Sequence, residues 1–100
     1  MKRRPDVLVN ILRDNRISDF EREVYIAVLR IPRGQTRSYK WVAAAIGSPS
    51  ASRAVGNALN KNPYLGVVPC HRVIRANGSI GGYAKGILLK KKLLKREGVK

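Results

Sequence analysis

The sequence predicts a mainly α-helical domain that closes with a small β-hairpin wing. Three observations predict it. Apolar residues recur at helical spacing in several segments, Gly/Pro punctuation leaves only short turns between them, and β-branched pairs are confined to residues 67–74. A chain of 100 residues with 44% hydrophobic composition suits one small domain around one core.

Residues 1–19 read as a short N-terminal extension, and residues 20–100 as the domain itself. In the extension Val7, Leu8, Val9, Ile11 and Leu12 fit a short helix or a strand equally well. Ser18-Asp19-Phe20-Glu21 has capping-box spacing and opens a helix. Phe20, Val24, Ala27, Val28 and Ile31 form its apolar stripe, and Pro32 stops it. Arg33-Gly34-Gln35-Thr36 is a turn. Ser38 is placed to cap a second helix with Trp41, Val42, Ala45 and Ile46 on its apolar side, ended by Gly47-Ser48-Pro49.

A third helix is expected over about 50–61. Ala51, Ala54, Val55, Ala58 and Leu59 make its buried stripe, and Ser52, Arg53, Gly56, Asn57, Asn60 and Lys61 its polar, acid-free face. Two short helices across a Gly/Pro turn make a helix-turn-helix candidate. Gly56 inside a helix costs about 1 kcal/mol against alanine, which close approach of another backbone would justify. Ordinary helix packing explains it equally well. Val67-Val68 and Val73-Ile74 with Asn77-Gly78 then predict a hairpin, which makes the whole a winged helix-turn-helix-like domain. Gly86 to Glu97 reads as a last helix, with Ile87, Leu88, Leu89, Leu93 and Leu94 inward and a row of lysines outward.

Charge narrows the partner. Twenty-one Lys and Arg against six acids give +15, spread along the whole chain. Such a surface suits a phosphate backbone, whose neutralisation releases condensed counterions. No stretch approaches the roughly 18–20 apolar residues of a membrane span. The basic start Met1-Lys2-Arg3-Arg4 is followed too soon by Asn10, Arg13 and Asp14 for a secretory signal. One cysteine permits no internal disulfide, which fits a reducing intracellular setting. One cysteine and one histidine are too few for a structural zinc site, so no metal and no cofactor is expected.

The reactive constellation is Pro69-Cys70-His71-Arg72. A lone cysteine is more often a small buried hydrophobe than a nucleophile. Here it lies at a break between two strand-like runs, beside the only histidine. A cysteine attacks as the thiolate, and His71 can accept its proton directly or through one water. An acid must orient such a histidine. Glu97 is the candidate, because a carboxylate fits poorly at the negative C-terminal end of a cationic helix. A simple charge pair with a neighbouring cation is the alternative.

Pro69-Cys70-His71-Arg72-Val73-Ile74 resembles the active-site signature of the O6-alkylguanine-DNA alkyltransferases. The resemblance runs in order from residue 19 to 98. It includes Phe20 to Tyr25, Ile31-Pro32-Arg33-Gly34, Thr36-Arg37-Ser38-Tyr39, Ser52 to Leu59, Asn60-Lys61-Asn62-Pro63, Gly81-Gly82-Tyr83 and Glu97-Gly98. It implies a single-turnover repair protein that flips O6-alkylguanine out of duplex DNA and takes the alkyl group onto Cys70. The catalytic set so implied is Cys70 as nucleophile, His71 as base, Glu97 as its orienter, Asn62 and Tyr39. Asn62 would tie the Pro-Cys-His turn to the helix-turn-helix, where a plain turn asparagine is the competing reading. Tyr39 would crowd the flipped nucleotide's phosphate and offer its hydroxyl to the base. Ser52, Arg53, Ala54, Gly56 and Asn57 would face DNA, with Arg53 filling the vacated stack. Val73, Tyr83 and Ala84 would line the base pocket.

Two departures stand out. The family usually carries a further N-terminal domain where residues 1–19 stand, and often a serine where this chain has Ala84. The implied partner is double-stranded DNA carrying O6-alkylguanine, with no membrane and the chain acting as a monomer. The competing function is a winged helix-turn-helix module that binds lesions without chemistry, as in the cysteine-free sister group of alkyltransferase-like proteins. Cys70 places this chain with the reactive branch.

Overall fold

Helix α1 (Arg3–Arg13) settles the ambiguous start as helical. The computed structural model describes residues 3–64, 67–81 and 86–99, with side chains from Leu8 onward. Ile11 of α1 is buried, whereas Leu8, Val9 and Leu12 face outward. Arg22 of α2 (Asp19–Leu29) fastens the end of α1, donating from Nε to the Ile11 carbonyl at 3.1 Å and from Nη2 to the Asp14 carbonyl at 2.6 Å. These are carbonyls a helix end leaves without intrahelical partners. Asp14 accepts from Arg16 and from the Tyr64 hydroxyl, which binds α1 to the loop after the third core helix.

The capping box at the head of α2 is complete: Glu21 N–H donates to Ser18 Oγ at 3.1 Å, and Ser18 N–H to Glu21 Oε1 at 2.9 Å. After the turn at residues 32–36, strand β1 (Arg37–Ser38) leads into α3 (Tyr39–Ala45), where Ser38 Oγ accepts from Trp41 N–H at 2.8 Å. Gly47 ends α3 in the left-handed region at φ +80°. Gly47 N–H bonds Ala44 O and Ser48 N–H bonds Ala43 O, the double closure of a Schellman turn. Helix α4 (Ser52–Asn60) follows and completes the helix-turn-helix.

Helices α2, α3 and α4 pack on one another around Val24, Tyr25, Val28, Val42, Ala43, Val55, Ala58 and Leu59. The buried Tyr25 hydroxyl donates to the Ala58 carbonyl at 2.7 Å, a polar link between α2 and α4 inside the core. Three expected faces shift. Trp41, expected inward, is 44% exposed under the Arg37 guanidinium, and Ala43 takes the buried place. Ala54, expected in the buried stripe of α4, is exposed. In α5 (Ile87–Arg96) Lys90 is fully buried while Leu88 is 82% exposed, so the inward face carries Lys90 and Leu94 and not the three leading apolar residues.

The largest correction concerns the wing. Strand β2 (Val73–Ile74) does not fold back on Val67-Val68 as a hairpin. It pairs in parallel with β1, Arg37 opposite Val73 and Ser38 opposite Ile74. The reason is local. Cys70–Arg72 form a single 3-10 turn, which spends the residues an antiparallel return needs. Ser38, extended at φ −80°, ψ 159° to cap α3, offers a free edge. Asn77-Gly78 does turn the chain, with Ser79 N–H on Asn77 Oδ1, but the turn closes a short loop over Arg75–Ser79. The domain is therefore mainly α with a small two-stranded parallel sheet. No helix among the described residues is long and apolar enough to cross a membrane.

Candidate active site and nucleic-acid interface

Pro69 shapes the turn that presents the cysteine. Its ring holds φ at −79° and its ψ is 62°, and Cys70 N–H reaches back to Val68 O at 2.8 Å. That is an inverse γ-turn, which proline favours by fixing φ and lacking an N–H of its own. Arg72 N–H then bonds Pro69 O at 2.9 Å, and the 3-10 turn begins at Cys70. The cysteine is 4% exposed, packed with the core residues Val68 and Val73.

The two residues after it face the end of α5. His71 Nε2 lies 2.9 Å from Oε2 of Glu97, the C-cap of α5. Arg72 grips the same carboxylate with two prongs, Nε on Oε1 at 2.9 Å and Nη2 on Oε2 at 2.8 Å. Its third nitrogen, Nη1, reaches the Ile31 carbonyl after α2 at 2.9 Å. The Arg72 guanidinium first, and His71 after it, hold the Glu97 carboxyl at about 2, against the opposing effect of burial. Glu97, expected to orient His71, is thus ionised and within hydrogen-bond distance of it, 26 residues away in sequence.

Lys90 completes this side. Its Nζ donates to the Val73 carbonyl at 2.6 Å and stands 5.7 Å from the centroid of the Tyr39 ring. Burial pushes its ammonium down to about 8, while negative charge on Cys70 acts the other way. Tyr39, half-buried, is pushed up by burial, and both Arg75 and Cys70 lie within electrostatic reach of it. Gly81 makes room for it. A Cβ there would meet the Tyr39 hydroxyl oxygen at 2.9 Å, and φ is +72° besides.

Tyr39 also lines an open cleft of about 580 Å³ with Lys40, Ser52, Arg53, Gly56, Asn57, Asn60, Arg75 and Ala76. These residues carry three cations and no acid. Arg53 and Asn57 are exposed on the outer face of α4 with Ala54, and Ser52 and Gly56 are partly covered. Among the described residues nothing requires Gly56 to be glycine, since a Cβ there would come no nearer than 3.9 Å to the Tyr39 ring.

Asn62 is buried, with Oδ1 accepting from Tyr64 N–H at 2.8 Å as a turn asparagine does. Its Nδ2 has no hydrogen-bond partner among the described residues. Val73 is buried in β2, and Tyr83 and Ala84 lie outside the described residues. Lys90 and Arg75 were not singled out from the sequence, and Arg72 stood in the reactive constellation without a role of its own. Lys90 carried a signal: it precedes Leu94 by four residues and Glu97 by seven, the spacing of one helix face.

The profile of the family described as 6-O-methylguanine DNA methyltransferase, DNA binding domain, matches residues 19–99. A methylated-DNA–protein-cysteine methyltransferase of Methanosarcina acetivorans is 53% identical over 81 residues, which are 81% of this chain and 52% of the relative. The crystal structure of Mycobacterium tuberculosis OGT in complex with DNA superposes with a TM-score of 0.82 at 50% identity, covering 85% of this chain and 52% of that one. S. pombe Atl1, solved with damaged DNA containing O6-carboxymethylguanine, gives 0.76 at 36% identity over 84% of this chain and 80% of that one. The chain spans about half the length of the methyltransferases it matches. With this match over residues 19–99, the chain belongs to the family of the 6-O-methylguanine DNA methyltransferase DNA-binding domain.

Proposed function

We propose that the chain repairs alkylated DNA, flipping O6-alkylguanine out of the duplex and taking its alkyl group irreversibly onto Cys70. The observation that carries this reading is the double role of Tyr39. It lines the basic cleft under α4 and packs against the core that holds Cys70, which links the DNA-facing side of the domain to the thiol.

The target carbon is hidden in the duplex, so the nucleotide must leave the stack. Arg53, exposed on α4, fills the gap, and Gly56 without a side chain lets the helix settle close to the groove. His71, held through Nε2 by Glu97, presents its other ring nitrogen as acceptor for the thiol proton, through one water. Lys90 supplies a buried cation that favours the thiolate. The sulfur attacks the alkyl carbon, the carbon–O6 bond breaks, and the base leaves with its electron pair. The proton guanine takes up balances the one sulfur gave up, and the Tyr39 hydroxyl is assigned to relay it. The product is a thioether, which has no hydrolytic route back. Val73 shapes the base site through β2, and Tyr83 and Ala84 are assigned to the same pocket. Double-stranded DNA is the partner, so the protein works where DNA is.

Mass spectrometry with excess O6-methylguanine duplex tests this. One methyl per chain, on the peptide bearing Cys70, is the expected result, with binding but no mass gain for Cys70→Ser. Binding without any mass change in the unsubstituted chain makes it a lesion-binding module instead. Log affinity for duplex should fall linearly with log salt, by about 0.9 per phosphate neutralised.

A further inference from the structure

The Glu97 carboxylate has two claimants. His71 Nε2 reaches Oε2 at 2.9 Å, and Arg72 takes both oxygens at 2.8–2.9 Å. All three side chains are at most 14% exposed, so water does little to mute the charges among them. Arg72 is anchored at its far side as well, by the bond from Nη1 to the Ile31 carbonyl after α2. A fork held on three acceptors in a fixed plane is one of the better-defined positions a long side chain can take.

The arrangement has an electrostatic consequence for the histidine. An unshared carboxylate at 2.9 Å would favour a charged imidazole. A charged ring has no lone pair left to accept a proton, and a general base must have one. The bidentate guanidinium cancels the carboxylate's charge but leaves Oε2 in place to accept from Nε2–H. We propose that Arg72 is a positioning residue for transfer to Cys70: it fixes the plane of Glu97 against His71 and balances the carboxylate's charge, so that the ring is oriented without facing a lone negative charge. The proposal rests on the alkyltransferase reading for its purpose, but not for its charge balance.

Helices α2 and α5 pack against the turn that carries His71. From α2 comes the neutral Ile31 carbonyl, and from α5 come Glu97 and, on the Val73 side, Lys90. Arg72 is thus the cation in direct contact with Glu97. Its removal leaves the ring facing an unbalanced negative charge.

His71 is the only histidine, so its ring-proton NMR signals report one charge state without ambiguity. In Arg72→Gln charging of the ring should begin about one pH unit higher than in the unsubstituted chain. The acid limb of the methyl-transfer rate should move up with it. Arg72→Lys keeps the cation and loses the fork. Ring charging should stay within about 0.3 pH unit, while the transfer rate falls about tenfold because the carboxylate plane is no longer fixed. If Arg72→Gln does not fold, Arg72→Lys still decides: charging that moves up by a full unit, or an unchanged rate, overturns the proposal. Unchanged ring charging in a folded Arg72→Gln overturns it equally. A chain that transfers no methyl while its ring charging follows Arg72 as described sinks the alkyltransferase reading alone.

Discussion

Lys90 Nζ donates to the carbonyl of Val73 at 2.6 Å, from a side chain with no exposure to solvent. The bond ties the last helix to the strand that follows the reactive turn. It also puts an ammonium group in the interior, where burial pushes it down to about 8.

That burial has a pH signature. Unfolding restores an ordinary lysine, which holds its proton to about 10.4. Between pH 8 and 10.4 the unfolded chain binds more protons than the folded one, so stability rises with pH across that window. Below pH 8 both states are charged and the contribution is constant. In Lys90→Met the rise should be missing. The difference between the two proteins in urea should change by on the order of 3 kcal/mol over the window. A constant difference would show that the Lys90 charge is solvated after all.

Glu97 should act at the opposite end of the pH scale. Its carboxyl is held at about 2, chiefly by Arg72, against about 4.3 in an unfolded chain. Its contribution is complete above pH 4.3 and is lost as pH falls through 2. Glu97→Gln should cost about 3 kcal/mol at neutral pH, because it leaves the Arg72 guanidinium largely buried without its counter-charge. It should also lose less further stability than the parent between pH 4.3 and 2. Asp14, held below the usual carboxylate range by Arg16 and Tyr64, titrates in the same acid region. Only the difference between parent and variant, followed by circular dichroism, isolates Glu97.

Gly56→Ala should separate folding from binding. The site has room for a Cβ, and alanine gains up to about 1 kcal/mol in a helix interior. Thermal unfolding should therefore move up by a few degrees. Duplex affinity should fall severalfold if the face of α4 settles against DNA, as proposed. Higher stability with unchanged affinity would mean that α4 stands off the duplex at this position.

For Arg53→Ala the expected loss is in extrusion of the base, not in chemistry. Repair of alkylated duplex should slow at least tenfold, while reaction with free O6-alkylguanine base, which needs no flipping, stays near the parent rate. Equal losses on both substrates would remove Arg53 from the vacated stack.

What the sequence made legible was whatever rests on short-range rules. The capping box at Ser18, the cap at Ser38 and the stop at Gly47 each involve residues three to five apart, and each is present. That Glu97 needs a partner was legible from chemistry, since an acid sits poorly at a helix C-terminus, and both partners weighed for it are there: His71 and, as the charge pair, Arg72. The parallel pairing of β2 with β1 was not. Two-residue strands carry no period to read, and nothing local to Val73 names Arg37 as its partner. Lys90 was hidden by its neighbours. In a run of three lysines, charge suggested a solvated row, and only the Leu94–Glu97 face marked the first of them as inward. The exposure of Trp41 follows from packing among α2, α3 and α4, which no single segment encodes.

The parallel bridge between Arg37–Ser38 and Val73–Ile74 bears on the order in which the molecule assembles. It closes a loop that contains the whole helix-turn-helix, and such long closures are slow compared with the growth of helices. Helices α2 and α3 have their caps, and α2 to α4 their shared core, within residues 18–60, so they are equipped to form first. The Cys70–Arg72 turn takes shape only when the later segment docks alongside β1 and α5 brings Glu97 to it. A nascent chain would therefore own the acid-free face of α4 before His71 and Glu97 met.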